Sequence, residues 1–486
     1  MIRLERHGLW IKILTREWGF LEAIKEHFSG YAEGYQFHPK YLSGSWDGRV
    51  YLVKDRRFLP YGVLPDLIKL YKREFSHIPL EIDDEVKSFF AIKNIDVDYS
   101  GQIFTAADHQ KQAIEVALRF GSGIVRSGTG SGKSFIMYMI LKHLFENNKI
   151  KRALIIVPNT LLVSQLYSNF VEEYGFDSSK VGKVYSKIKE WDKQIVISTW
   201  QSLMNNHDKL EVFDSVFVDE THGAKSFQIS RILEQLSNAH IRLGFTGTLP
   251  DDEYERLCIK SFLGPVLIDV TVDELQENGW LAQCLIKRIK IHYQNPKKIF
   301  KVEDASNKTN IQIVNEINGM IFKSPFRLWV LKKYLDTIEK GAALLLVGKV
   351  ETEGKFLKEY LEQYYPNREI IFISGGTKEK EREEWRQKCK DPNCKIILIA
   401  TYPIFQAGVD IPALAHVFLV APFKSKIRVL QSIGRALRQH VSKFNGAFIY
   451  DLIDIDNGSN ERNSEVRLSY YMRENFDVQD IDERNN

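Results

Sequence analysis

The sequence contains few cysteines. Its 486 residues include four, namely Cys258, Cys284, Cys389 and Cys394, which is too few for a disulfide-rich secreted scaffold. Cys389 and Cys394 stand in a C-x4-C pattern that alone lacks two of the four ligands of a structural zinc site, so we expect ordinary reduced thiols. The cysteine content therefore favours a protein of the reducing cytoplasm.

Long apolar runs are missing as well. No stretch of the sequence approaches the roughly 18–20 apolar residues that a membrane-spanning helix needs, so we expect no membrane partner. Near the N-terminus, the apolar stretch 9–14 is interrupted by Lys12 and followed by Arg16. That pattern does not fit a secretory signal peptide.

Neither sign of charge is in large excess. The chain has 67 Lys and Arg against 63 Asp and Glu, a net charge of +4. This balance is compatible with a nucleic-acid partner but does not argue for one, because such partners are bound by local patches. The composition, 44% hydrophobic and 27% charged, is that of a globular protein. A chain of this length predicts two to four domains, at about 100–200 residues each.

Two long stretches alternate short apolar runs with helical patterns. The first stretch has runs at 123–127, 153–158, 195–199, 215–220 and 241–248, and the second has runs at 342–348, 370–375, 396–401, 416–422 and 447–454. Continuous Val, Ile and Leu runs are typical of parallel strands that are covered on both faces. The alternation predicts an α/β fold with two doubly wound parallel sheets in tandem.

The remaining segments suggest the domain boundaries. Residues 1–98 lack the alternating pattern and predict a small α+β domain, followed by the first parallel-sheet domain at 99–285 and the second at 286–460. Within the second, the polar segment 292–320 predicts an insertion, with a hairpin as one form. Residues 461–486 predict a polar C-terminal tail that frays, apart from a short helix near 467–471.

The sharpest local motif is a Gly-rich loop between an apolar run and a helical pattern. It reads Ser127, Gly128, Thr129, Gly130, Ser131, Gly132, Lys133, Ser134. Glycines let backbone N–H groups surround phosphate oxygens, and the helix that begins near Lys133 adds the positive end of its dipole. We predict that Lys133 contacts the β- and γ-phosphates of ATP and that Ser134 binds Mg²⁺. The general pattern has Gly at the place of Ser127, and the alternative is a turn without function.

A second motif is an apolar run that ends in Asp219 and Glu220. Parallel strands end at the sheet edge where α/β folds bind ligands, and the phosphate loop lies at that same edge. We predict that Asp219 holds Mg²⁺, directly or through water, and that Glu220 is the general base for the attacking water. His222 is expected to link this site to the neighbouring domain. Taken alone, these residues would fit an exposed acidic strand end.

A third motif in the second half has the form Q-x-x-G-R-x-x-R. Gln431, Arg435 and Arg438 fall on one face of a helix, because steps of three and four residues stack. Arginine suits the charge that develops on a transferring phosphoryl group. We predict that these side chains reach ATP bound at the phosphate loop when the two domains close. The alternative is a basic, solvated helix face.

With these motifs in this order, the sequence resembles the superfamily 2 helicases of DExH type, whose two motor domains are RecA-like. The resemblance covers residues 100–455 and implies that Gln110 reads adenine and that Gly408 and Asp410 belong to a motif contacting both nucleotide and backbone. It also implies a set of DNA-contacting or coupling residues. These are Pro158, Asn159, Thr160, Thr199, Trp200, Gln201, Thr246, Thr248 and Thr401.

The first domain resembles that of the bacteriophage UvsW helicases. Residues 32–39, 44–49 and 59–62 carry this similarity, and residues 424–427 and 451–454 add to it. The resemblance implies branched or forked DNA as substrate, RNA–DNA hybrids as an open possibility, and the host cytoplasm as location. It also implies a DNA-recognising N-terminal domain. The residues themselves suggest how, because Trp46 offers a stacking face and Arg49 a phosphate contact. A buried Trp46 beside a glycine turn is an equal alternative. We expect a monomer.

Other functions stay open at this point. A double-strand translocase that does not separate strands, and an RNA helicase, would use the same motifs. A binding module that uses ATP only as a clamp or annealing switch would need the phosphate loop but not Glu220 or the arginines. A nuclease is disfavoured, because the sequence shows no second carboxylate cluster of the nuclease kind.

Overall fold

The computed structural model describes most of the chain. The described residues are 1–32, 34–88, 95–99, 104–128, 130–220, 226–250, 252–294, 296–302, 308–402, 411, 413–421, 429, 433–434, 436–437, 440, 443, 446–455 and 458–485. They form two compact units, residues 1–127 with 132–270 and residues 271–486 with 128–131. Among them, no helix has both the length and the apolar character that crossing a membrane requires.

The N-terminal region of the first unit contains two small sheets. Its strands are β1 (Ile2–His7), β2 (Trp10–Leu14), β3 (Ser29–Tyr31), β4 (Arg49–Tyr51), β5 (Phe58–Pro60) and β6 (Leu80–Ile82), and its helices are α1 (Trp18–His27), α2 (Pro39–Leu42), α3 (Leu64–Leu70) and α4 (Asp84–Lys87). The strand order is β5-β2-β1-β6 in one sheet, and β3 pairs with β4 in the other. This mixture is the α+β arrangement that the sequence predicts.

A large sheet, parallel except for its antiparallel edge strand β10, forms the rest of the first unit. Its strands are β7 (Ser122–Ser127), β8 (Ala153–Val157), β9 (Val181–Tyr185), β10 (Ile188–Lys189), β11 (Ile195–Thr199), β12 (Ser215–Asp219), β13 (Ile241–Thr246) and β14 (Val266–Val270), in the order β10-β9-β11-β8-β12-β13-β7-β14. Its helices are α5 (Asp108–Phe120), α6 (Lys133–Glu146), α7 (Thr160–Ser168), α8 (Trp200–Met204), α9 (Ser226–Gln235) and α10 (Glu253–Lys260). The non-sequential order requires crossovers, so the sheet is doubly wound as predicted.

Buried polar groups join the N-terminal region to this sheet. The Tyr61 hydroxyl lies 2.5 Å from the Ser122 hydroxyl and donates to the Phe262 carbonyl at 3.1 Å. The buried Arg242 guanidinium donates to the same carbonyl at 2.6 Å and to the Leu236 carbonyl at 2.8 Å. Ser122 is the first residue of β7, so the N-terminal region is attached at the start of the strand whose other end leads into the Gly-rich loop.

The second unit contains a seven-stranded sheet in which every recorded pairing is parallel. Its strands are β15 (Cys284–His292), β16 (Gly341–Val347), β17 (Glu369–Ile373), β18 (Lys395–Thr401), β19 (His416–Leu419), β20 (Ala447–Asp454) and β21 (Asp477–Arg484), in the order β17-β18-β16-β19-β20-β15-β21. Its described helices are α11 (Val272–Glu277), α12 (Pro296–Ile299), α13 (Asn310–Phe322), α14 (Pro325–Leu335), α15 (Phe356–Tyr364), α16 (Glu379–Lys388) and α17 (Gly458–Arg473). The predicted α/β class with two tandem parallel sheets is thus confirmed.

The C-terminal segment 461–486 is not a fraying tail, so that prediction was wrong. Helix α17 packs on the sheet, and β21 extends the sheet by pairing with β15. Arg467, 2% exposed, makes two hydrogen bonds of 2.9 and 2.8 Å to the fully buried Asp451, which also accepts from the Tyr471 hydroxyl at 2.9 Å. A buried ion pair therefore anchors this polar segment to the sheet. Removing one partner of such a pair lowers the free energy of unfolding by about 3–5 kcal/mol.

The segment 292–320 also differs from expectation. Its described residues form α12 and α13 rather than a hairpin. Helix α13 begins at a capping box, in which Thr309 Oγ1 accepts from the Gln312 N–H at 3.3 Å and Gln312 Oε1 accepts from the Thr309 N–H at 2.8 Å. Such a cap supplies local helix stability that polarity alone does not reveal.

Candidate nucleotide and nucleic-acid sites

The Gly-rich loop connects the end of β7 to the start of α6. Gly130 and Gly132 have φ of 91° and 83°, a backbone conformation that side-chain-bearing residues rarely adopt. Lys133, the first residue of α6, donates from Nζ to the Ser127 carbonyl at 3.1 Å. The strand–loop–helix context required for phosphate binding is therefore present. Thr129 lies outside the described residues.

Gln110 lies against this loop. Its Oε1 accepts from the Ala107 N–H at 3.0 Å at the start of α5. A Cβ added to Gly132 would lie only 2.3 Å from Gln110 Nε2. Glycine at this position thus allows the Gln110 amide to approach the loop backbone.

The acidic strand end lies at the same sheet edge. Strand β13 pairs with β12 on one side, with Asp219 opposite Phe245, and with β7 on the other, with Thr246 opposite Arg126. The carboxyl ends of the three strands therefore lie side by side, as parallel pairing requires. Glu220 follows with φ of 53°, a strained conformation of the kind found at functional sites.

The electrostatics of Asp219 fit a bound cation. Its Oδ1 atom is buried and has no hydrogen-bond partner among the residues that the structure describes. Burial and, to a smaller extent, the Glu220 charge raise the pKa of Asp219 to about 7, although the Lys133 charge acts to lower it. A divalent cation would satisfy such an oxygen and favour its ionised form.

The other predicted metal ligand, Ser134, is held by neighbouring polar groups. Its hydroxyl lies 3.0 Å from the Tyr174 hydroxyl and accepts from Asn169 Nδ2 at 3.4 Å. Binding of Mg²⁺ through this oxygen requires these hydrogen bonds to rearrange. Sequence reasoning missed Tyr174 and Asn169, because both are distant in the chain and belong to no motif.

Thr246 and Thr248 form a closed turn after β13. Thr246 Oγ1 donates to the Thr248 carbonyl at 2.7 Å and accepts from the Thr248 N–H at 3.3 Å. Both side chains are buried. The turn is therefore a fixed connection next to Asp219, and direct contact with a nucleic acid would require it to open.

Two further loops leave this edge beside each other. Strands β8 and β11 pair with Val157 opposite Thr199, so Pro158 and Trp200 follow at adjacent strand ends. Asn159 caps α7 by accepting from the Leu162 N–H at 3.0 Å, and Thr199 donates to the Ser202 hydroxyl at 3.1 Å. Of the predicted contact residues here, Thr160 and Gln201 are exposed.

In the second unit, Thr401 is the buried last residue of β18. Several other predicted site residues lie outside the described residues, namely His222, Gly408, Asp410, Gln431, Arg435 and Arg438. The described neighbours Ile433, Ala436 and Leu437 are buried.

Trp46 and Arg49 form part of the small β3–β4 sheet region. Trp46 is half-buried, and its Nε1 donates to the Arg49 carbonyl at 2.9 Å. The Arg49 guanidinium donates to Ser29 Oγ at 2.8 Å and lies 4.7 Å from the Tyr31 ring centroid. Sequence reasoning missed the exposed rings nearby, although the density of aromatic residues was a signal.

Comparisons with known families match three parts of the chain. Residues 10–77 match the family described as DNA helicase UvsW, N-terminal. Residues 103–251 match the res subunit of type III restriction enzymes, and residues 327–440 match the helicase conserved C-terminal domain. The first two matched segments lie in the first unit, apart from residues 128–131, and the third lies in the second unit.

Comparisons with individual proteins also point to DNA helicases and related motor proteins. The ATP-dependent DNA helicase uvsW of Enterobacteria phage T4 is 28% identical over 473 residues, covering 93% of this chain and 91% of the relative. The crystal structure of T4 UvsW matches with a TM-score of 0.50 and 24% identity over 99% of both chains. A fragment of an HsdR subunit of a type I restriction enzyme from Vibrio vulnificus matches with a TM-score of 0.56 and 14% identity, covering 86% of this chain and 74% of that one. These likenesses identify both sheets as RecA-like and show that the chain is an ATP-dependent DNA helicase with superfamily 2 motor domains, similar over its length to the UvsW helicase of phage T4.

Proposed function

We propose that this protein remodels branched DNA, by regressing forks, migrating junctions and unwinding D-loops or R-loops. The observation that carries the proposal is the shared sheet edge at which Lys133 and the buried Asp219 act on each other electrostatically. A cation and a carboxylate held together beside a Gly-rich loop are the arrangement that phosphoryl transfer from ATP uses. The N-terminal match to the UvsW family supports branched DNA as the substrate.

The proposed nucleotide contacts centre on the Gly-rich loop. Backbone N–H groups of Gly128, Thr129, Gly130, Ser131 and Gly132 surround the phosphates, and Lys133 neutralises the β- and γ-phosphate oxygens. Gln110 hydrogen-bonds to adenine, and Glu220 accepts a proton from the attacking water. Gly408 and Asp410 complete the set from the second half.

Ser134 and Asp219 are the proposed magnesium ligands. Oxygen ligands from one or two side chains, together with substrate phosphates, are the usual set for Mg²⁺. When bound, this ion supplies charge neutralisation at the phosphate oxygens. The buried, unpartnered Asp219 Oδ1 supports this assignment.

We assign the completion of the site to Gln431, Arg435 and Arg438. The order of the motifs along the chain supports this assignment. The domain boundaries proposed from the sequence at 98 and 285 separate the N-terminal domain from the two halves that would close on ATP, and the second half extends through β21. His222, Thr246 and Thr248 would transmit that closure.

The proposed DNA contacts lie on loops at the strand ends. They comprise Pro158, Asn159, Thr160, Thr199, Trp200, Gln201 and Thr401, with Trp46 and Arg49 in the N-terminal region. Contacts of this kind to the phosphate backbone are independent of sequence and weaken with salt. We propose a monomer acting in the cytoplasm of the host cell, with RNA–DNA hybrids open as further substrates.

A translocase that moves on duplex DNA without separating strands is a second candidate, favoured by the match of residues 103–251 to a restriction-enzyme subunit.

Two assays run side by side distinguish the two functions. A labelled strand annealed in a fork or four-way junction reports strand separation, and a third strand bound to duplex DNA reports translocation alone. Our proposal predicts ATP-dependent release of strands from branched DNA. Displacement of the third strand without such release would favour the translocase.

A further inference from the structure

The small sheet of β3 and β4 has two chemically different faces. Its antiparallel register places Tyr31 opposite Arg49 and Gly30 opposite Val50. Side chains alternate along a strand, so Tyr31 and Arg49 share one face. The other face is packed, because a Cβ on Gly30 would lie 2.3 Å from the Tyr254 side chain. The Tyr31 face therefore points away from α10, to which Tyr254 belongs.

Aromatic rings are exposed on this face and in the segment that follows β3. Tyr31 is 53% exposed, Phe37 82% and Tyr41 36%. Single exposed apolar residues are ordinary, but several large rings in one short segment mark a binding surface. We call the set Tyr31, Tyr35, Phe37, Tyr41 and Arg49 the aromatic surface.

Most of these rings are held in fixed positions. Tyr31 stacks on Tyr35 with centroids 4.5 Å apart and planes at 21°, and Tyr41 meets Tyr35 edge-on at 4.8 Å. Gly48 has φ of +79°, and a Cβ there would approach the Tyr35 ring to 2.5 Å. Rings positioned in advance lose little conformational entropy when a flat ligand stacks on them.

The charges beside the rings favour a nucleic acid as the occupant. The Arg49 guanidinium lies 4.7 Å from the Tyr31 ring centroid, and Lys40 is exposed between the aromatic positions. One carboxylate in this region, Asp47, accepts from the Tyr51 hydroxyl and from the Arg49 N–H at 2.9 Å, and these bonds lower the pKa of Asp47. Cations beside exposed rings are typical of surfaces that stack unpaired bases.

We propose that the aromatic surface stacks on unpaired DNA bases, with Phe37 as the most exposed ring. Bases inside a duplex are already stacked, so the surface would select DNA whose strands separate at a branch. Trp46 then has a supporting role, because its indole N–H is engaged by the Arg49 carbonyl. This inference rests on the proposed function, and it explains how the protein would distinguish branched DNA from an intact duplex.

The test compares Phe37→Ala and Phe37→Leu with a matched control, Leu42→Ala, since Leu42 is 72% exposed in the same segment but has no ring. Dissociation constants are measured on a fork carrying 2-aminopurine in an unpaired arm and on a blunt duplex of equal length. We expect Phe37→Ala to weaken fork binding roughly tenfold and to reduce quenching of 2-aminopurine fluorescence. Phe37→Leu, which keeps apolar area, should lose the same quenching. Leu42→Ala should bind like the wild type.

Three outcomes would overturn the proposal. The first is wild-type fork affinity and quenching in Phe37→Ala, and the second is an equal loss on fork and blunt duplex, which indicates a backbone contact. The third is a changed oligomeric state with unchanged DNA affinity, which indicates a surface for another protein copy. If DNA fails to change the rate of ATP hydrolysis by the wild type while Phe37→Ala still loses affinity for the fork alone, that result would contradict the proposed motor function but would support the proposed role of the aromatic surface.

Discussion

Replacing Lys133 by alanine is expected to reduce the rate of ATP hydrolysis by roughly 10²–10³-fold, the usual effect of removing one group that stabilises transition-state charge. Lys133 lies at the phosphate loop, 3.1 Å from the Ser127 carbonyl, and its charge acts on Asp219. Phosphate release at saturating ATP and DNA measures the effect. DNA binding without nucleotide should remain, because the proposed role of the lysine is to contact the nucleotide rather than the DNA.

The matched control for this experiment is Lys142→Ala. Lys142 lies on the same helix, where its Nζ is 3.8 Å from Glu146, so the control removes the same charge away from the loop. It should hydrolyse ATP at the wild-type rate. Undiminished turnover in Lys133→Ala would contradict the phosphate-loop assignment.

Replacing Arg438 by alanine is expected to lower turnover on the order of 10³-fold, at the lower end of the range for arginine fingers. The affinity for ATP should change far less, because the guanidinium would act on charge that develops during transfer. Turnover and nucleotide dissociation constants are measured separately. Arg462→Ala, an exposed position on α17, is the control.

The turnover rate and the dissociation constant for ATP also show which result would contradict this role of Arg438. An Arg438→Ala chain that binds ATP weakly but turns over normally at saturation would show that this arginine serves binding alone. The motif would then be a cationic helix face rather than part of the hydrolytic site.

The central strands could be predicted closely from the sequence. The runs at 195–199 and 447–454 coincide with β11 and β20. Such strands are covered on both faces, so their continuous β-branched and aliphatic residues are visible in the sequence without knowledge of their partners. The same property places the predicted Asp219 at a strand end beside the phosphate loop.

The edge strand β21 could not be predicted, because its interactions are non-local. Its sequence DVQDIDER is polar, and it is held by pairs such as Arg288 with Asp480 at 3.0 Å and Lys333 with Glu483 at 2.7 Å. Each pair joins residues far apart in the chain. For the same reason, the sequence did not reveal the hydrogen bond between Ser134 and Tyr174 or the exposure of Phe37.

The rate of ATP hydrolysis by the wild-type chain with single-stranded, duplex, forked and four-way-junction DNA tests the coupling of this site to DNA most directly. We expect every DNA to raise the rate, with forks and junctions raising it most and added salt weakening the response. Slow hydrolysis at one rate, whatever DNA is present, would contradict a DNA motor and would fit a clamp that merely binds ATP.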